Sequence, residues 1–189
     1  MTLMRTVAAA VEPVTLAEVK AHLRLDHASE DELLGGLIRA AREEVERATG
    51  LALIDQDWRL VLDEWPANGA VAIALHPVKA ITSVTAYDTE GEASLVDPAT
   101  YQVDMVSRPA RLHFEAMPKA LRAVNGIEVY FKAGFGEAGT DVPDLLHRAI
   151  LLLVAHWYEF RASFGPNDQP VGYPAGYERL IAGYRLRRL

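Results

Sequence analysis

The chain has 189 residues, a net charge of −7 and no cysteine. Apolar residues make up 50% and charged residues 24%, the balance of an ordinary folded domain rather than of a disordered or collagen-like chain. The missing cysteine excludes disulfide frameworks, thiol nucleophiles and zinc ribbons. The longest apolar run, 149–155, is far short of the ~20 residues a membrane span needs, and the acidic balance disfavours a dedicated DNA-binding surface.

The segment from Met1 to Val11 has one Arg and a short Ala/Val stretch, and it predicts no signal peptide. Helix signals follow. Thr15-Leu-Ala-Glu18 has the form of a capping box, in which hydroxyl and carboxylate each satisfy an orphan N–H, and Leu16, Val19 and Leu23 then recur at helical spacing. Ser29-Glu-Asp-Glu32 reads as a second capping box. Leu33, Leu34, Leu37, Ile38, Ala41, Val45 and Ala48 form a stripe behind it, and Gly50 is a suitable stop. Helices are predicted near 15–25 and 30–49.

From about 51 to 135 the period changes to that of strands. Trp58, Leu60 and Leu62 alternate with other residues, as do Val71, Ile73 and Leu75. Ile81, Val84 and Tyr87 lead into the turn signal Asp88-Thr-Glu-Gly91. Val103 and Met105, Leu112 and Phe114, and finally Ile127, Val129 and Phe131 complete the set. Prolines 66, 77, 98, 109 and 118 fall between the runs, where they harm a sheet least. Five or six short strands with intervening turns predict antiparallel pairing.

Helix returns at Asp141-Val-Pro143, with Pro143 suited to a first turn, and runs to about Ala162. Leu145, Ala149, Leu152, His156 and Phe160 are expected on one face, which Ile150, Leu151, Leu153, Val154 and Trp157 broaden nearly all round. So apolar a helix is expected to be buried on several sides, in the core or against another subunit. A Gly/Pro connection over 165–176 reads as mobile, and a short helix is predicted near 175–185. The expected fold is α+β: a helical core with an antiparallel β-rich insertion and a mobile C-terminal tail. The corresponding boundaries are 1–50, 51–135, 136–164 and 165–189.

Several patterns invite a chemical reading. Gly134-Phe-Gly136-Glu-Ala-Gly139 matches the dinucleotide fingerprint, but Thr140-Asp-Val-Pro143 separates it from the helix that should open on it, and no strand follows to complete a βαβ unit. It reads as a turn from strand to helix. His156 and Glu159 stand one helical turn apart, without the second pair that a helical metal centre uses. Nothing fixes the separation of Asp55/Asp57 or Asp63/Glu64. The serines lack a nucleophile elbow. No cofactor is predicted. Aromatic residues crowd 157–184 and coincide with the only basic section, through Arg179, Arg185, Arg187 and Arg188; aromatics with arginine are the composition of binding anchors.

The order of these features resembles the head–tail connector (adaptor) proteins of long-tailed phages, a group also found in gene transfer agents. The residues that carry the resemblance are Val14-Thr-Leu-Ala-Glu-Val-Lys-Ala-His-Leu-Arg-Leu25 with Asp31-Glu-Leu-Leu34; Ala40-Ala-Arg-Glu-Glu-Val-Glu46 running into Thr49-Gly50; Val129-Tyr-Phe-Lys-Ala-Gly-Phe-Gly136; and Val142-Pro-Asp-Leu-Leu-His-Arg-Ala-Ile150 with His156-Trp-Tyr-Glu-Phe-Arg161. They span about 12–165, and it is their combination in this order that is specific.

The resemblance implies a ring, usually of twelve copies, seated under the portal, extending the DNA channel and offering a docking face to the next head-completion or tail protein. It implies no catalytic residues. The expected partners are the portal, copies of the chain itself and that next protein, with DNA as passing cargo and no membrane. The expected location is the particle's head–tail interface, and the bacterial cytoplasm during assembly. The portal clasp is assigned to Tyr173, Tyr177, Leu180, Tyr184, Arg185, Arg187, Arg188 and Leu189, and the subunit interface to Leu151, Val154, Trp157 and Tyr158. The alternatives are a small hydrolase or metal-dependent enzyme using His156 and Glu159, or another head-completion or tail-terminator ring protein.

Overall fold

In a computed structural model, the structure describes residues 1–115, 121–160 and 172–185. Pro118, most of the Gly/Pro connection, Arg187, Arg188 and Leu189 lie outside the described residues. The fold is α+β, as expected, and it divides into two compact units. One comprises Met1–Ala9 and Asp55–Phe135; the other comprises Ala10–Ile54 and the described residues from Gly136 on.

The first unit holds every strand among the described residues. These are β1 (Thr2–Val7), β2 (Gln56–Leu62), β3 (Ala70–Ile73), β4 (Val78–Tyr87), β5 (Ala93–Leu95), β6 (Tyr101–Asp104), β7 (Ala110–Phe114) and β8 (Ile127–Ala133). They form a five-stranded sheet of order β1-β2-β8-β4-β5 and a three-stranded sheet of order β3-β7-β6. All pairings are antiparallel. Leu60, Val84, Ala86, Ile127, Val129 and Phe131 are buried from the larger sheet, and Val71, Ile73, Ala110, Leu112 and Phe114 from the smaller. The period-two pattern thus places one apolar face of each sheet inward. The Phe114 ring also meets Trp65 and Tyr101, at centroid distances of 4.7 and 5.3 Å.

Two strands were not expected. β1 carries little alternation and is a strand because β2 offers it a ladder, from Thr2↔Val61 to Val7↔Asp57. All three residues of β5 are exposed, so no buried face marks it in the sequence.

The second unit is helical, with α1 (Leu16–Leu23), α2 (Asp31–Thr49), α3 (Asp144–Phe160) and α4 (Tyr177–Ile181). The first capping box forms: Glu18 N–H donates to Thr15 Oγ1 at 3.2 Å, and Thr15 N–H donates to Glu18 Oε2 at 2.7 Å. These bonds to Thr15 hold the Glu18 carboxyl below its ordinary pKa. The second does not form. Glu30 is the residue before α2 and makes no capping bond, while Ser29 Oγ lies 2.9 Å from His27 Nδ1. Lys20 Nζ to Asp31 Oδ1, 2.8 Å, ties α1 to the start of α2 instead. Gly50 stops α2 in the left-handed region (φ 71°), its N–H donating to Glu46 O, a conformation glycine adopts at little cost.

α3 packs on α1, α2 and α4. Its buried residues are Leu146, Ala149, Ile150, Leu153 and Val154; of the expected line Leu145, Ala149, Leu152, His156 and Phe160 only Ala149 is fully buried, Leu145 is 51% exposed, and the inward face is made mostly by residues expected only to broaden it. A helix apolar nearly all round has no sharp stripe, so periodicity alone does not choose the inward face. Each large aliphatic side chain buried here contributes roughly 1.5–3 kcal/mol. None of the described helices is long and apolar enough to cross a membrane.

Candidate interaction surfaces

The helical unit is locked by an internal charge cluster. Arg42, 5% exposed, donates from Nε to Glu12 and from Nη1 to Glu46, both at 2.7 Å. Burial works to lower its pKa, yet Glu12 and Glu46 outweigh burial and hold it above the ordinary value. Glu46 also accepts from the Leu53 N–H at 2.9 Å, so one carboxylate fixes both the helix and the chain that leaves it.

Past its buried stripe, α3 keeps Leu151, Leu152, Ala155, Trp157 and Tyr158 only half-buried. The Tyr158 hydroxyl donates to Glu30. Of the four residues assigned to a subunit interface, Leu151, Trp157 and Tyr158 therefore have surface to offer. Val154 is 0% exposed and belongs to the subunit's own core. His156 lies against Phe160, with centroids 4.6 Å apart, and Glu159 is exposed. Among the described residues, no group of three or more His, Asp and Glu is placed to hold a metal ion.

The C-terminal aromatics divide in a similar way. Tyr173 and Tyr177 stack at 4.8 Å. Tyr173 is 44% exposed; its hydroxyl donates to Glu44 and accepts from Arg47 Nη2 at 3.2 Å. Tyr177 and Ile181 are 0% exposed and seat α4 in the core. The Tyr177 hydroxyl has no hydrogen-bond partner among the described residues, and burial pushes its pKa well up. Leu180 and Tyr184 are half-buried, and Arg185 is exposed with a 2.5 Å ion pair to Glu178.

The glycine motif is explained by close backbone approach. A Cβ on Gly134 (φ +152°) would lie 2.5 Å from Asp55 N, and one on Gly139 would lie 2.6 Å from Pro13 O. The glycines admit neighbouring backbone where a nucleotide motif would admit a pyrophosphate. The paired acids are likewise engaged structurally. Asp55 binds Lys79 at 2.8 Å, and Asp63 accepts the Asn125 N–H at 2.8 Å.

Sequence reasoning missed a polar cluster on the five-stranded sheet, because its members come from β2, β4, β8 and the loop before β8. Glu128, 9% exposed, accepts from Arg59 at 3.3 Å, Tyr87 at 3.2 Å and Tyr130 at 3.3 Å. The hydrogen bond to Tyr130, then, against the opposing cost of burial, the charge of Glu128, raises the Arg59 pKa. Arg122 lies 4.0 Å above the Tyr87 ring and donates from Nε and Nη2 to Asn125 O. Arg59, Arg122 and Glu128 open onto a cleft of about 290 Å³ that Thr2, Met4 and Val61 help to line. The β2–β8 and β4–β8 pairings bring the strand residues together, and no local pattern in the sequence encodes either register.

No curated protein matches the chain. Solved structures do. A chain in the virion of a native gene transfer agent (GTA) particle superposes with a TM-score of 0.84 at 28% identity, covering 100% of this chain and 97% of that one. A chain in the neck of an empty GTA particle computed with C6 symmetry gives 0.81 at 29% identity, and one in the neck of a native GTA particle computed with C12 symmetry gives 0.80 at 28%, each with the same coverage. The model of the Phage gp6-like head-tail connector protein family matches residues 13–123. That span takes in α1, α2 and the six strands β2 to β7, more than half of the chain, and the chain belongs to the Phage gp6-like head-tail connector family.

Proposed function

We propose that this protein is a structural adaptor in the neck of a phage or gene-transfer-agent particle, and that it transforms no molecule. Copies form a ring below the portal, extend the DNA channel and present a docking face to the next head-completion or tail protein. The observation that carries this reading is the family match together with full-length likeness to chains of the GTA neck, one of them computed with C12 symmetry. The particle's head–tail interface is the final location, reached from the bacterial cytoplasm where assembly takes place.

The physical reading agrees. Neighbours in a closed ring meet through two different surfaces, and the half-buried Leu151, Trp157 and Tyr158 supply apolar area for one of them. An acidic chain suits a channel wall past which DNA must slide, since gripping phosphates needs Lys and Arg. The portal clasp falls to Tyr173, Leu180, Tyr184, Arg185, Arg187, Arg188 and Leu189, with Tyr177 acting from inside as the anchor of α4.

Electron microscopy of the protein mixed with its portal tests this: a coaxial ring is expected, and a persistently free protein would refute it. The clasp has its own test. Deleting 173–189 would also strip Tyr177 from the core, so Arg187→Glu with Arg188→Glu is the cleaner perturbation. Portal binding is expected to weaken while the fold is unchanged.

A further inference from the structure

We propose that the cleft on the five-stranded sheet is a carboxylate-binding site: the guanidinium groups of Arg59 and Arg122 take one carboxylate carried on a short aliphatic stem, an Asp or Glu side chain of an acidic segment or a free aliphatic acid. The site lies wholly within the β-rich unit and does not depend on the ring reading. Arg122 is fixed in place without a ligand. Its Nε and Nη2 both donate to Asn125 O, at 2.9 and 2.6 Å, and its guanidinium lies 4.0 Å from the centre of the Tyr87 ring. Its Nη1 has no acceptor among the described residues, and no carboxylate there pairs with it. Arg59 Nη1 is divided between Glu128 and Tyr130, both at 3.3 Å. Among the described residues Nη2 meets only Met4 Sδ, 4.0 Å away, a weak acceptor. Met4 itself lines the cleft, which puts Nη2 at its wall.

The acids close by are already engaged. Glu128 accepts from Arg59, Tyr87 and Tyr130, and Asp63 accepts the Asn125 N–H. The chain's own 88–92 turn follows Tyr87, but it is closed on itself, with Asp88 Oδ1 accepting the N–H groups of Glu90 and Glu92 at 2.9 Å. Neither glutamate forms an ion pair with either arginine among the described residues. Two guanidinium charges against the one carboxylate of Glu128 therefore leave the cleft a single positive charge, on a chain whose net charge is −7. One carboxylate balances it, through the charge-assisted and often forked hydrogen bonds that guanidinium groups make with carboxylates. A phosphate monoester would bring roughly −1.5 to −2 charges at pH 7 and would meet Glu128 as well. Duplex DNA calls for a stripe of Lys and Arg, which two arginines beside a glutamate do not make. Met4 and Val61 give an aliphatic stem an apolar wall, and the cleft of about 290 Å³ has room for a stem of that length.

The test follows the Arg59 and Arg122 Nε–Hε signals by NMR in the isotope-labelled full-length chain. At fixed ionic strength the protein is titrated with acetate, a capped tetraglutamate peptide, the matching tetraglutamine peptide and inorganic phosphate. Both carboxylate probes are expected to move the two signals saturably, phosphate to bind more weakly than either, and tetraglutamine to leave the signals in place. Binding of tetraglutamate tighter than that of acetate, beyond what its extra carboxylates supply by number, assigns the ligand to an acidic protein segment; otherwise it is a free acid, and either result supports the site. Arg122→Gln is expected to weaken both carboxylate probes at least about tenfold. Thr2→Glu leaves both arginines in place and adds a carboxylate at the wall of the cleft; it is expected to block both probes, which guards against a folding defect in the first variant. The absence of any saturable shift, phosphate binding tighter than both carboxylate probes, or an unchanged titration in either folded variant overturns the site. None of these outcomes bears on whether copies form a ring.

Discussion

Tyr177 offers a way to separate what a side chain contributes by its ring from what it contributes by its hydroxyl. The ring is 0% exposed and stacks on Tyr173. Tyr177→Ala empties that site, and deleting a buried aromatic ring costs about 3–5 kcal/mol. The hydroxyl has no partner among the described residues, and leaving such a group buried and unbonded costs about 1–3 kcal/mol. Tyr177→Phe removes that cost without opening a cavity and is expected to stabilise α4 by about 1 kcal/mol. The two substitutions at one position should therefore have opposite signs. Hydrogen exchange of peptides spanning 172–185, read by mass spectrometry, reports on local opening of this segment. Tyr177→Ala should speed exchange by more than about a hundredfold, and Tyr177→Phe should slow it several-fold. Faster exchange in Tyr177→Phe would mean that the hydroxyl is bonded, and would refute the reasoning.

Three further outcomes follow from the packing. Arg42→Ala leaves Glu12 and Glu46 without their cation and should cost about 3–5 kcal/mol in urea unfolding, whereas Arg47→Ala, which breaks the exposed pair with Glu44, should cost less than about 1 kcal/mol; equal losses would contradict the assignment. Gly134→Ala forces a side chain onto Asp55 N in a left-handed conformation and should cost at least about 1–3 kcal/mol, with a native-like melting temperature as the refuting result. Burial, then the nearby Arg108 cation, lowers the His76 pKa from 6.5. The unfolded chain then takes up this proton more readily than the folded one, so the stabilising effect is complete above the unfolded value and is lost as pH falls through the lower folded value. His76→Gln should flatten the fall in melting temperature between about pH 7 and pH 5, and an unchanged slope would exclude His76 as its source.

The sequence makes the elements legible wherever local physics determines them. The Thr15–Glu18 box, the α2 stripe and the stop at Gly50 depend on residues three or four apart, and all appear where spacing predicts. The Ser29 box fails because a hydroxyl has more than one neighbour within reach, and here it meets His27 rather than the helix. β1 and the inward face of α3 depend on elements distant in the sequence, β2 for the one and α1, α2 and α4 for the other, and no local pattern encodes them. For the interaction surfaces, composition singled out the aromatic and basic C-terminal section, but only the packing separates Tyr177 and Val154, which hold the subunit together, from Tyr173, Leu151 and Trp157, which retain surface. The Arg59/Arg122 cleft was hidden for the same reason as β1: its walls are assembled by strand pairing.

Neighbours in the proposed ring meet through two different surfaces, and repetition of one such contact either closes into a ring or runs on as a filament. The contact itself determines only that copies add in one direction; the angle between them determines closure. A partner annulus that every copy must grip at the same time would hold that angle fixed, so clasping the portal and pairing of neighbouring copies become two parts of one assembly step.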